Sequence, residues 1–368
     1  MAVKLALSTL CENPRARTGL STLFPEFIAQ SRRLFPAVSW VVFAGADEPW
    51  PGADADVEVC RDFPSNERRL ARLFADHLRV GPAAARRGAA ALLTVGFSPL
   101  RPAGLPVAMQ VVAVPFSPRD GGARSHYRQW ALARGLERAS LVIANSAWTA
   151  AQLGSARAEI IVSPEGLRHD RFTRDGERGL PGGPERYLLW ASNLYGYKRV
   201  DLALAAYAAL PPALRGQFPL LVAGGDWGDG RARAEAVAAR LGIAGQVRFL
   251  GWVADADLPR LYRGAQAHLL STTQETFGRC VLEAMACGCP SVLQDLPVLR
   301  EVAGECALYV DYGDPAAAAA ALASLCGPGE TRSRLSAAGI ARASHFSFER
   351  VARERVGAVL QLLEANGR

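Results

Sequence analysis

Two glutamates, Glu275 and Glu283, stand with seven residues between them in the segment STTQETFGRCVLEAMACGCPSV, which covers residues 271–292. A polar loop leads to Gly278, and helical spacing follows it. A helix N-terminus after a glycine offers backbone N–H groups and the positive end of the helix dipole to a diphosphate. Glu275 can accept hydrogen bonds from sugar hydroxyls, and Glu283, about two helical turns further on, can reach a ribose diol from the same side. The segment therefore suits a nucleotide-activated sugar.

Lysine is rare in this chain: of its 42 lysines and arginines, only Lys4 and Lys198 are lysines. A lysine that persists where arginine has replaced nearly all others is expected where a compact ammonium is needed, since a guanidinium does not imitate that point charge. Lys198 lies in the loop SNLYGYKR, residues 192–199, directly after the predicted strand Tyr187–Ala191. As a lone feature it would more often be a surface lysine.

Two series of short apolar strands, separated by helical patterns, must position these residues. The first series is predicted at Lys4–Leu10, Ser39–Ala44, Ala90–Val95, Val107–Val114 and Leu141–Ala144. The second is predicted at Tyr187–Ala191, Pro219–Ala223, Val247–Leu250, Ala267–Leu270, Ser291–Leu293 and Leu308–Val310. Alternation of strands and helices predicts an α/β chain with doubly wound parallel sheets.

A charged stretch rich in Gly and Pro, residues 174–186, divides the two series and is interpreted as a linker. We expect an N-terminal Rossmann-like domain over residues 1–178 and a second one over residues 179–348. Residues 349–368 are predicted as a C-terminal helix that could pack back on the first domain. Two such domains would share a ligand in the cleft at the carboxyl ends of their strands.

The segment around the two glutamates resembles the E-x7-E motif of glycosyltransferase family 4, with Phe-Gly after the first glutamate and Leu before the second. The likeness continues through EAMACGCPSV and, in outline, over nearly all of the chain. It implies a GT-B fold and transfer of a hexose, with retention of anomeric configuration, from a nucleotide-diphosphate donor to an acceptor. The second domain would bind the nucleotide sugar, and the first would bind the acceptor.

The resemblance also implies roles for individual residues. Lys198 would contact the donor diphosphate and Glu275 the sugar, which makes these two the catalytic candidates, while Glu283 would fix the ribose. Asn193 stands where the family commonly has an arginine, a departure for which Arg199 could compensate. The complete set of expected donor-binding residues is Glu283, Phe277, Gly278, Arg279, Asn193, Arg199, Gly224 and Gly19. For Gly19, a plain turn glycine is an equal alternative.

One departure concerns the sugar-orienting group of the first domain. Many family members have a histidine at the end of the strand that corresponds to Val107–Val114, but this chain has neither His nor Asn there. His126, twelve residues beyond Val114, is the nearest candidate for a sugar-orienting or acceptor-side role. The alternative is a surface histidine.

No metal or other cofactor is expected. Asp54-Ala-Asp56 and Asp255-Ala-Asp257 both spell DxD, the metal-binding string of a different glycosyltransferase architecture. The first pair precedes its strand, whereas a metal pair should follow one. The second pair opens a helical stretch, where aspartates act as caps.

The net charge of +7 is concentrated in the first half of the chain, where residues 1–180 carry 23 basic and 17 acidic residues, a balance of +6. This excess favours an anionic acceptor, such as a lipid-linked or cell-envelope glycan, or a peripheral contact with an anionic membrane. A solvated arginine-rich surface is the alternative. The arginines are scattered and show no nucleic-acid-binding signature, so nucleic acid is not expected as a partner.

Seven cysteines without a CxxC pair fit a reducing cytoplasm better than a disulfide framework. The N-terminus becomes polar too quickly for a signal peptide, and no apolar run reaches the roughly 18 residues of a membrane span. The expected location is the cytoplasm, with at most a peripheral position on the inner face of the membrane. Two functions compete with transfer of a hexose: a nucleotide-sugar epimerase on the same fold and a non-catalytic sugar-nucleotide-binding protein.

Overall fold

The computed structural model describes residues 3–10, 19–46, 50, 56–64, 68–112, 123–154, 156–226 and 228–367. These residues form two compact units, one comprising Met1–Gly166 with Ser347–Arg368 and the other Leu167–Phe346. Each unit is a parallel sheet flanked by helices, which confirms the predicted fold class. Across the described residues, no helix is both long enough and apolar enough to cross a bilayer.

The first unit contains a seven-stranded sheet in the order β3-β2-β1-β4-β5-β6-β7, in which every neighbouring pair is parallel. Its strands are β1 (Val3–Ser8), β2 (Val38–Gly45), β3 (Val57–Phe63), β4 (Ala91–Val95), β5 (Val107–Val111), β6 (Leu141–Ala144) and β7 (Glu159–Val162). The helices between β1 and β7 are α1 (Gly19–Leu34), α2 (Arg69–Phe74), α3 (Val80–Arg86), α4 (Ala123–Arg138) and α5 (Ala147–Gln152). A π-helical turn, Ala75–Arg79, joins α2 to α3 without a break.

The strands of this sheet are apolar on both faces because helices cover both faces. Along β1, Leu5 and Leu7 pack in one core cluster, and Ala6 between them packs in another. The central strands β4, β5 and β6 are buried throughout, whereas the edge strand β7 is half exposed.

The second unit contains a six-stranded parallel sheet in the order β10-β9-β8-β11-β12-β13. Its strands are β8 (Tyr187–Ala191), β9 (Leu220–Ala223), β10 (Val247–Gly251), β11 (Ala265–Leu270), β12 (Ser291–Gln294) and β13 (Ala307–Val310). Its helices are α6 (Val200–Ala208), α7 (Pro212–Gln217), α8 (Gly230–Arg240), α9 (Leu258–Gly264), α10 (Arg279–Ala286), α11 (Pro297–Ala303), α12 (Pro315–Leu325) and α13 (Glu330–Ala343), with 3₁₀ turns at Gly196–Lys198 and Ala244–Gln246.

The strand order reverses direction between β8 and β11 in this sheet, and between β1 and β4 in the first one. At such a switch point the loops leave neighbouring strands toward opposite faces, and a crevice opens at the carboxyl edge. Each unit therefore has one place where its topology favours a ligand.

The C-terminal helix α14 (Phe348–Ala365) belongs to the first unit and packs against α1. Its buried Arg355 donates to Gln110 Oε1 at 2.6 Å and to the Ser163 carbonyl at 3.0 Å, and it lies 3.4 Å from Glu165 Oε1. These contacts tie the last helix to the carboxyl ends of β5 and β7.

The boundary between the units lies at residues 166 and 167, twelve residues before the predicted one. Residues 167–178 belong to the second unit because Arg263 of α9 donates to the carbonyls of Thr173, at 3.2 Å, and Glu177, at 2.7 Å. Gly179 continues this contact by donating to the Arg260 carbonyl at 2.9 Å. The stretch interpreted as a linker is thus held against a helix of the second unit. Hydrogen bonds to backbone carbonyls contribute to this contact, and such bonds cannot be predicted from residue type.

Candidate active site

The candidate site occupies the switch point of the second sheet. Lys198 ends the 3₁₀ turn after β8, and Glu275 lies in the loop after the neighbouring strand β11. The two loops are bonded to each other, since Ser271 Oγ donates to the Arg199 carbonyl at 2.6 Å and Thr273 N donates to the Tyr197 carbonyl at 2.9 Å. Both charged side chains therefore stand on a backbone that is fixed before any ligand arrives.

Lys198 Nζ and Glu275 Oε1 form an ion pair whose side chains are only 12% and 11% exposed. Burial, the largest single influence, would lower the pKa of Lys198, but the charge and hydrogen bond of Glu275, together with the smaller effects of Cys280 and Tyr197, raise the pKa above its ordinary value. The ammonium is therefore fully charged near neutral pH. A fixed positive charge of this kind can stabilise the negative charge of a diphosphate.

Glu283 lies on α10, where its side chain is 12% exposed. Tyr262 Oη donates to Glu283 Oε2 at 3.1 Å, and Arg279 Nη2 lies 3.8 Å from Glu283 Oε1. Burial raises the pKa of Glu283, while Arg279 and the hydrogen bond from Tyr262 act in the opposite direction. The carboxylate is held in one orientation by a phenol and a guanidinium, as a group that must meet a ligand diol requires.

The N-terminus of α10 is open to an anion. Gly278 precedes the helix with a φ of 92°, a conformation that favours glycine, and the first turn contains no acidic residue. Within the described residues, Arg279 Nη1 is buried and has no hydrogen-bond partner. A buried guanidinium N–H without a partner is costly, and an anion would satisfy it.

Cys280 connects the two charged pairs and was not predicted as a site residue. The charges of Lys198, Glu275 and Glu283 all act on its thiol, but burial dominates and raises its pKa to about 12. The thiol is therefore protonated and serves as a packing group rather than a nucleophile. Tyr262 was also missed, because nothing in the sequence of α9 connects it to α10.

Asn193 and Gly224 position the loops of the site. Asn193 Oδ1 accepts a hydrogen bond from Gly225 N at 3.0 Å, which ties the loop after β8 to the loop after β9. At Gly224, φ is 150° and an added Cβ would lie 1.7 Å from the Ser192 carbonyl oxygen. A side chain cannot fit there, so Gly224 permits the close approach of these loops.

Two side chains predicted to bind the donor are engaged elsewhere in the described structure. Arg199 forms a two-pronged pair with Asp201, with N–O distances of 3.0 and 2.8 Å, and its φ of 49° is left-handed. Phe277 is buried, with its ring centroid 5.9 Å from that of Phe346. The structure thus brings Lys198, Glu275, Arg279 and Glu283 to one edge of the sheet, where Cys280 lies among their charges, without these two side chains.

Gly19 and His126 belong to the first unit. Gly19 is the first residue of α1, and the segment before it, residues 11–18, lies outside the described residues. His126 is exposed on α4. The position after Val112, where family members have their histidine, also lies outside the described residues.

The four DxD aspartates show no metal-site geometry where they are described. Asp56 pairs with Arg32 at 2.9 Å and Asp255 with Arg171 at 3.8 Å, while Asp54 lies outside the described residues. In the described part of the chain, no three His, Cys, Asp or Glu side chains are grouped closely enough to hold a metal ion.

Residues 174–342 match the family model of glycosyl transferases group 1. That range contains Lys198, Glu275, Arg279 and Glu283, and therefore the whole of the candidate site. It covers less than half of the chain and lies entirely within the second unit.

Curated relatives match by sequence over part of the chain. The chain is 32% identical over 173 residues to O-antigen chain mannosyltransferase B of Escherichia coli, covering 47% of this chain and 45% of the relative. It is 35% identical over 237 residues to D-inositol 3-phosphate glycosyltransferase of Geodermatophilus obscurus, covering 60% and 52%. The chain thus spans about half the length of the curated relatives that it matches.

Solved structures resemble the chain over nearly its whole length. Sucrose-phosphate synthase from Thermosynechococcus elongatus matches with a TM-score of 0.79 at 19% identity, covering 99% of this chain and 100% of that one. Anabaena HepE, solved in complex with UDP-glucose, matches with a TM-score of 0.72 at 20% identity, covering 97% and 99%. WaaG, a glycosyltransferase of lipopolysaccharide biosynthesis, matches at 0.73 and 18%, covering 95% and 98%. At these identities the likeness shows the fold, which is GT-B as predicted.

Proposed function

We propose that this chain is a glycosyltransferase of family 4 that transfers a hexose from a nucleotide-diphosphate sugar, such as a UDP- or GDP-hexose, with retention of configuration. The observation that carries the proposal is the grouping of two partly buried charged pairs, Lys198–Glu275 and Arg279–Glu283, at the switch point of a sheet whose sequence matches the group 1 glycosyl transferases. An epimerase would need an acid and a base placed at a sugar carbon, and neither is evident in this set.

In this account the donor diphosphate lies at the N-terminus of α10, where it contacts Lys198 Nζ and satisfies Arg279 Nη1. Glu275 exchanges part of its contact with Lys198 for the hydroxyls of the donor sugar, and Glu283 accepts from the ribose. The backbone N–H groups of Gly278 and Arg279 remain available even though Phe277 is turned inward. Gly224 and Asn193 hold the neighbouring loops, and Gly19 and His126 remain candidates on the first unit.

The chemistry then depends on charge that develops as the diphosphate leaves. The bond from the anomeric carbon to the phosphate oxygen breaks through a transition state with oxocarbenium character, as in glycoside hydrolysis. The acceptor hydroxyl forms the new bond on the face that the diphosphate leaves, and its proton passes to the leaving phosphate oxygen. Lys198 and Arg279 are already in place to stabilise that oxygen, so no metal is required by this account.

The proposed acceptor is a glycan, lipid-linked sugar or small polyol phosphate bound by the first unit. The names of the relatives support this range, since one acts on an O-antigen chain and another on D-inositol 3-phosphate. The charge of +6 on residues 1–180 suits an anionic acceptor of this kind. A cytoplasmic location, where nucleotide sugars are made, is part of the same proposal.

Release of nucleoside diphosphate that depends on an acceptor tests the transferase. We would incubate the chain with UDP-glucose or GDP-mannose and with O-antigen fragments, lipid-linked sugars or D-inositol 3-phosphate, and determine the anomeric configuration of the product by NMR. Nucleoside diphosphate and an α-linked product formed only with acceptor would support the proposal. Donor binding without any release would instead favour the non-catalytic sugar-nucleotide-binding protein, a reading consistent with Asn193 in place of an arginine.

A further inference from the structure

The helical run from α2 through the π-helical turn exposes three large apolar side chains and buries two ionisable ones. Leu70, Phe74 and Leu78, spaced four residues apart, are 83%, 58% and 37% exposed. On the inner side of the same run, Asp76 and His77 are only 2% and 7% exposed. A helix that only covers its own domain would turn the apolar residues inward and the ionisable ones outward.

The inverted orientation is fixed by contacts on the inner side. Asp76 Oδ1 accepts from Ser8 Oγ at 3.5 Å, its Oδ2 lies 3.5 Å from Arg72 Nε, and His77 Nε2 is 2.9 Å from Tyr127 Oη. The helix therefore cannot rotate to bury its apolar face without breaking these contacts.

Two further exposed apolar side chains extend the face beyond the C-terminal end of the π-helical turn. Leu100 is 38% exposed, and the neighbouring Arg101 N donates to the His77 carbonyl at 3.0 Å. Trp130 is 42% exposed, and its ring centroid lies 5.7 Å from that of His77. Because both lie beside His77, we group them with the exposed side chains of the helix and define the apolar face as Leu70, Phe74, Leu78, Leu100 and Trp130. These are five of the nine exposed large apolar side chains among the described residues.

Exposed arginines lie on the same elements and connections as the apolar face. They are Arg68, Arg79, Arg101, Arg128 and Arg138. Arg79 Nη2 donates to the Asp62 carbonyl at 3.3 Å and Arg138 Nη1 to the Leu100 carbonyl at 3.2 Å, so these two bonds hold the side chains without neutralising their charge. The one acidic residue within the run, Asp76, is turned inward.

We propose that the apolar face and its arginines dock on an anionic lipid bilayer, with the run from Arg69 to Arg79 lying in the plane of the interface. Exposed Leu and Phe on one side of a helix, with arginines beside them, are the features of an interfacial amphipathic helix. A tryptophan at the rim suits the headgroup level. Anionic phospholipid headgroups supply the negative charge that attracts arginines near the membrane surface. This inference does not rest on the proposed transferase activity.

Flotation of the full chain with lipid vesicles tests the proposal. We would compare vesicles of phosphatidylcholine alone with vesicles that also contain phosphatidylglycerol, and the wild type with the triple variant Leu70→Gln/Phe74→Gln/Leu78→Gln. The wild type should float with the phosphatidylglycerol vesicles, weakly with phosphatidylcholine, and less at high salt. The triple variant should lose at least about tenfold in binding. Arg79→Gln/Arg138→Gln should remove most of the preference for phosphatidylglycerol.

Matched controls distinguish docking from nonspecific hydrophobic adsorption to vesicles and from misfolding. Leu241→Gln/Trp252→Gln removes two exposed apolar side chains of the second unit, which are 37% and 55% exposed, and should leave flotation unchanged. The unfolding temperature of the triple variant should match that of the wild type, because the three side chains are exposed. Wild type that stays unbound with both vesicle types would overturn the proposal. Dimerisation of the wild type that the triple variant abolishes, without vesicle binding, would also overturn it and assign the face to a second copy of this chain.

Discussion

Both units have ionisable groups near the switch point of their sheet, but the charge of these groups is balanced in one unit and not in the other. At the switch point of the second sheet, Lys198 and Glu275 neutralise each other in direct contact. At the switch point of the first sheet, the buried Asp76 has two weak partners at 3.5 Å among the described residues, Ser8 and Arg72, and burial raises its pKa to about 7. In the second unit, a ligand can compete for the two members of an ion pair. In the first unit, the folded state is more stable when the buried carboxyl group is protonated. Complementary charge, not burial alone, therefore marks the candidate site.

Loss of Lys198 should have the largest effect. Lys198→Ala removes the charge that stabilises the leaving diphosphate and leaves Glu275 unpaired, so the expected loss is about 10²–10³-fold in kcat, or about 3–4 kcal/mol. Acceptor-dependent release of nucleoside diphosphate measures it. Lys4→Ala, at the only other lysine, is the control and should keep wild-type kcat. Equal losses in both variants would contradict the assignment.

Gly224→Ala should disrupt the loops that carry the second-unit site. An added methyl group would lie 1.7 Å from the Ser192 carbonyl oxygen, and the loop must open to relieve this clash. We expect a loss of about 3 kcal/mol in the free energy of unfolding, measured by urea denaturation. Gly245→Ala in the same unit meets nothing within 4 Å and should change stability little. Similar values for the two variants would show that the loops are not sterically locked.

Asp76→Asn should stabilise the first unit increasingly as pH rises. The folded pKa of Asp76 lies above its ordinary 3.8, at about 7, so the folded state binds more protons than the unfolded state between these values. Stability due to this group therefore falls as pH rises from about 4 to about 7. The shift corresponds to about 4 kcal/mol, and we expect the amide to recover about 2 kcal/mol because Arg72 loses its partner.

Thermal unfolding of Asp76→Asn and the wild type at about pH 5 and about pH 8 measures this difference. The gain should be larger at the higher pH. His77, whose pKa is lowered mainly by burial, is present in both proteins and cancels in the comparison. A gain that is the same at both pH values would mean that the protonation of Asp76 does not change between them.

Tyr262→Phe should have the smallest effect. It removes the hydrogen bond of 3.1 Å to Glu283 Oε2 without emptying space in the core. Glu283 would then be held only by Arg279, and donor affinity should fall about tenfold, or about 1.4 kcal/mol. Calorimetric titration with the donor measures the change. Tyr187→Phe, whose hydroxyl donates to the Leu261 carbonyl in the same unit, is the control and should keep donor affinity.

The sequence predicts most of the sheet structure because parallel strands covered on both faces are continuous apolar runs. Leu141–Ala144 and Tyr187–Ala191 agree with the observed strands to the residue. The edge strand Glu159–Val162 was not predicted, since it is half exposed and begins with a glutamate. The predicted boundary falls twelve residues later because Arg260 and Arg263 hold residues 173–179 through an ion pair with Glu177 and through backbone hydrogen bonds, and the sequence does not show which arginines meet this stretch.

The candidate site was predictable where one local segment carries it. Glu275, Gly278, Arg279 and Glu283 lie within nine residues, and Lys198 stands out by its rarity. Tyr262 and Cys280 were not predicted, because their roles depend on contacts between different secondary-structure elements. Asn193 and Arg199 were predicted as donor contacts from their place in the loop, but their side chains bond to Gly225 and Asp201, which only three-dimensional structure reveals.

Donor binding by the second-unit site tests the central claim most directly. Thermal shift of the wild type and Glu283→Ala would be measured against UDP-, GDP-, ADP- and dTDP-sugars. At about 100 times its dissociation constant, the donor should stabilise the wild type by about 2.7 kcal/mol. One nucleotide class should give this shift, and Glu283→Ala should lose it. A wild type that no nucleotide sugar stabilises would show that Glu283 and its neighbours do not form a donor site.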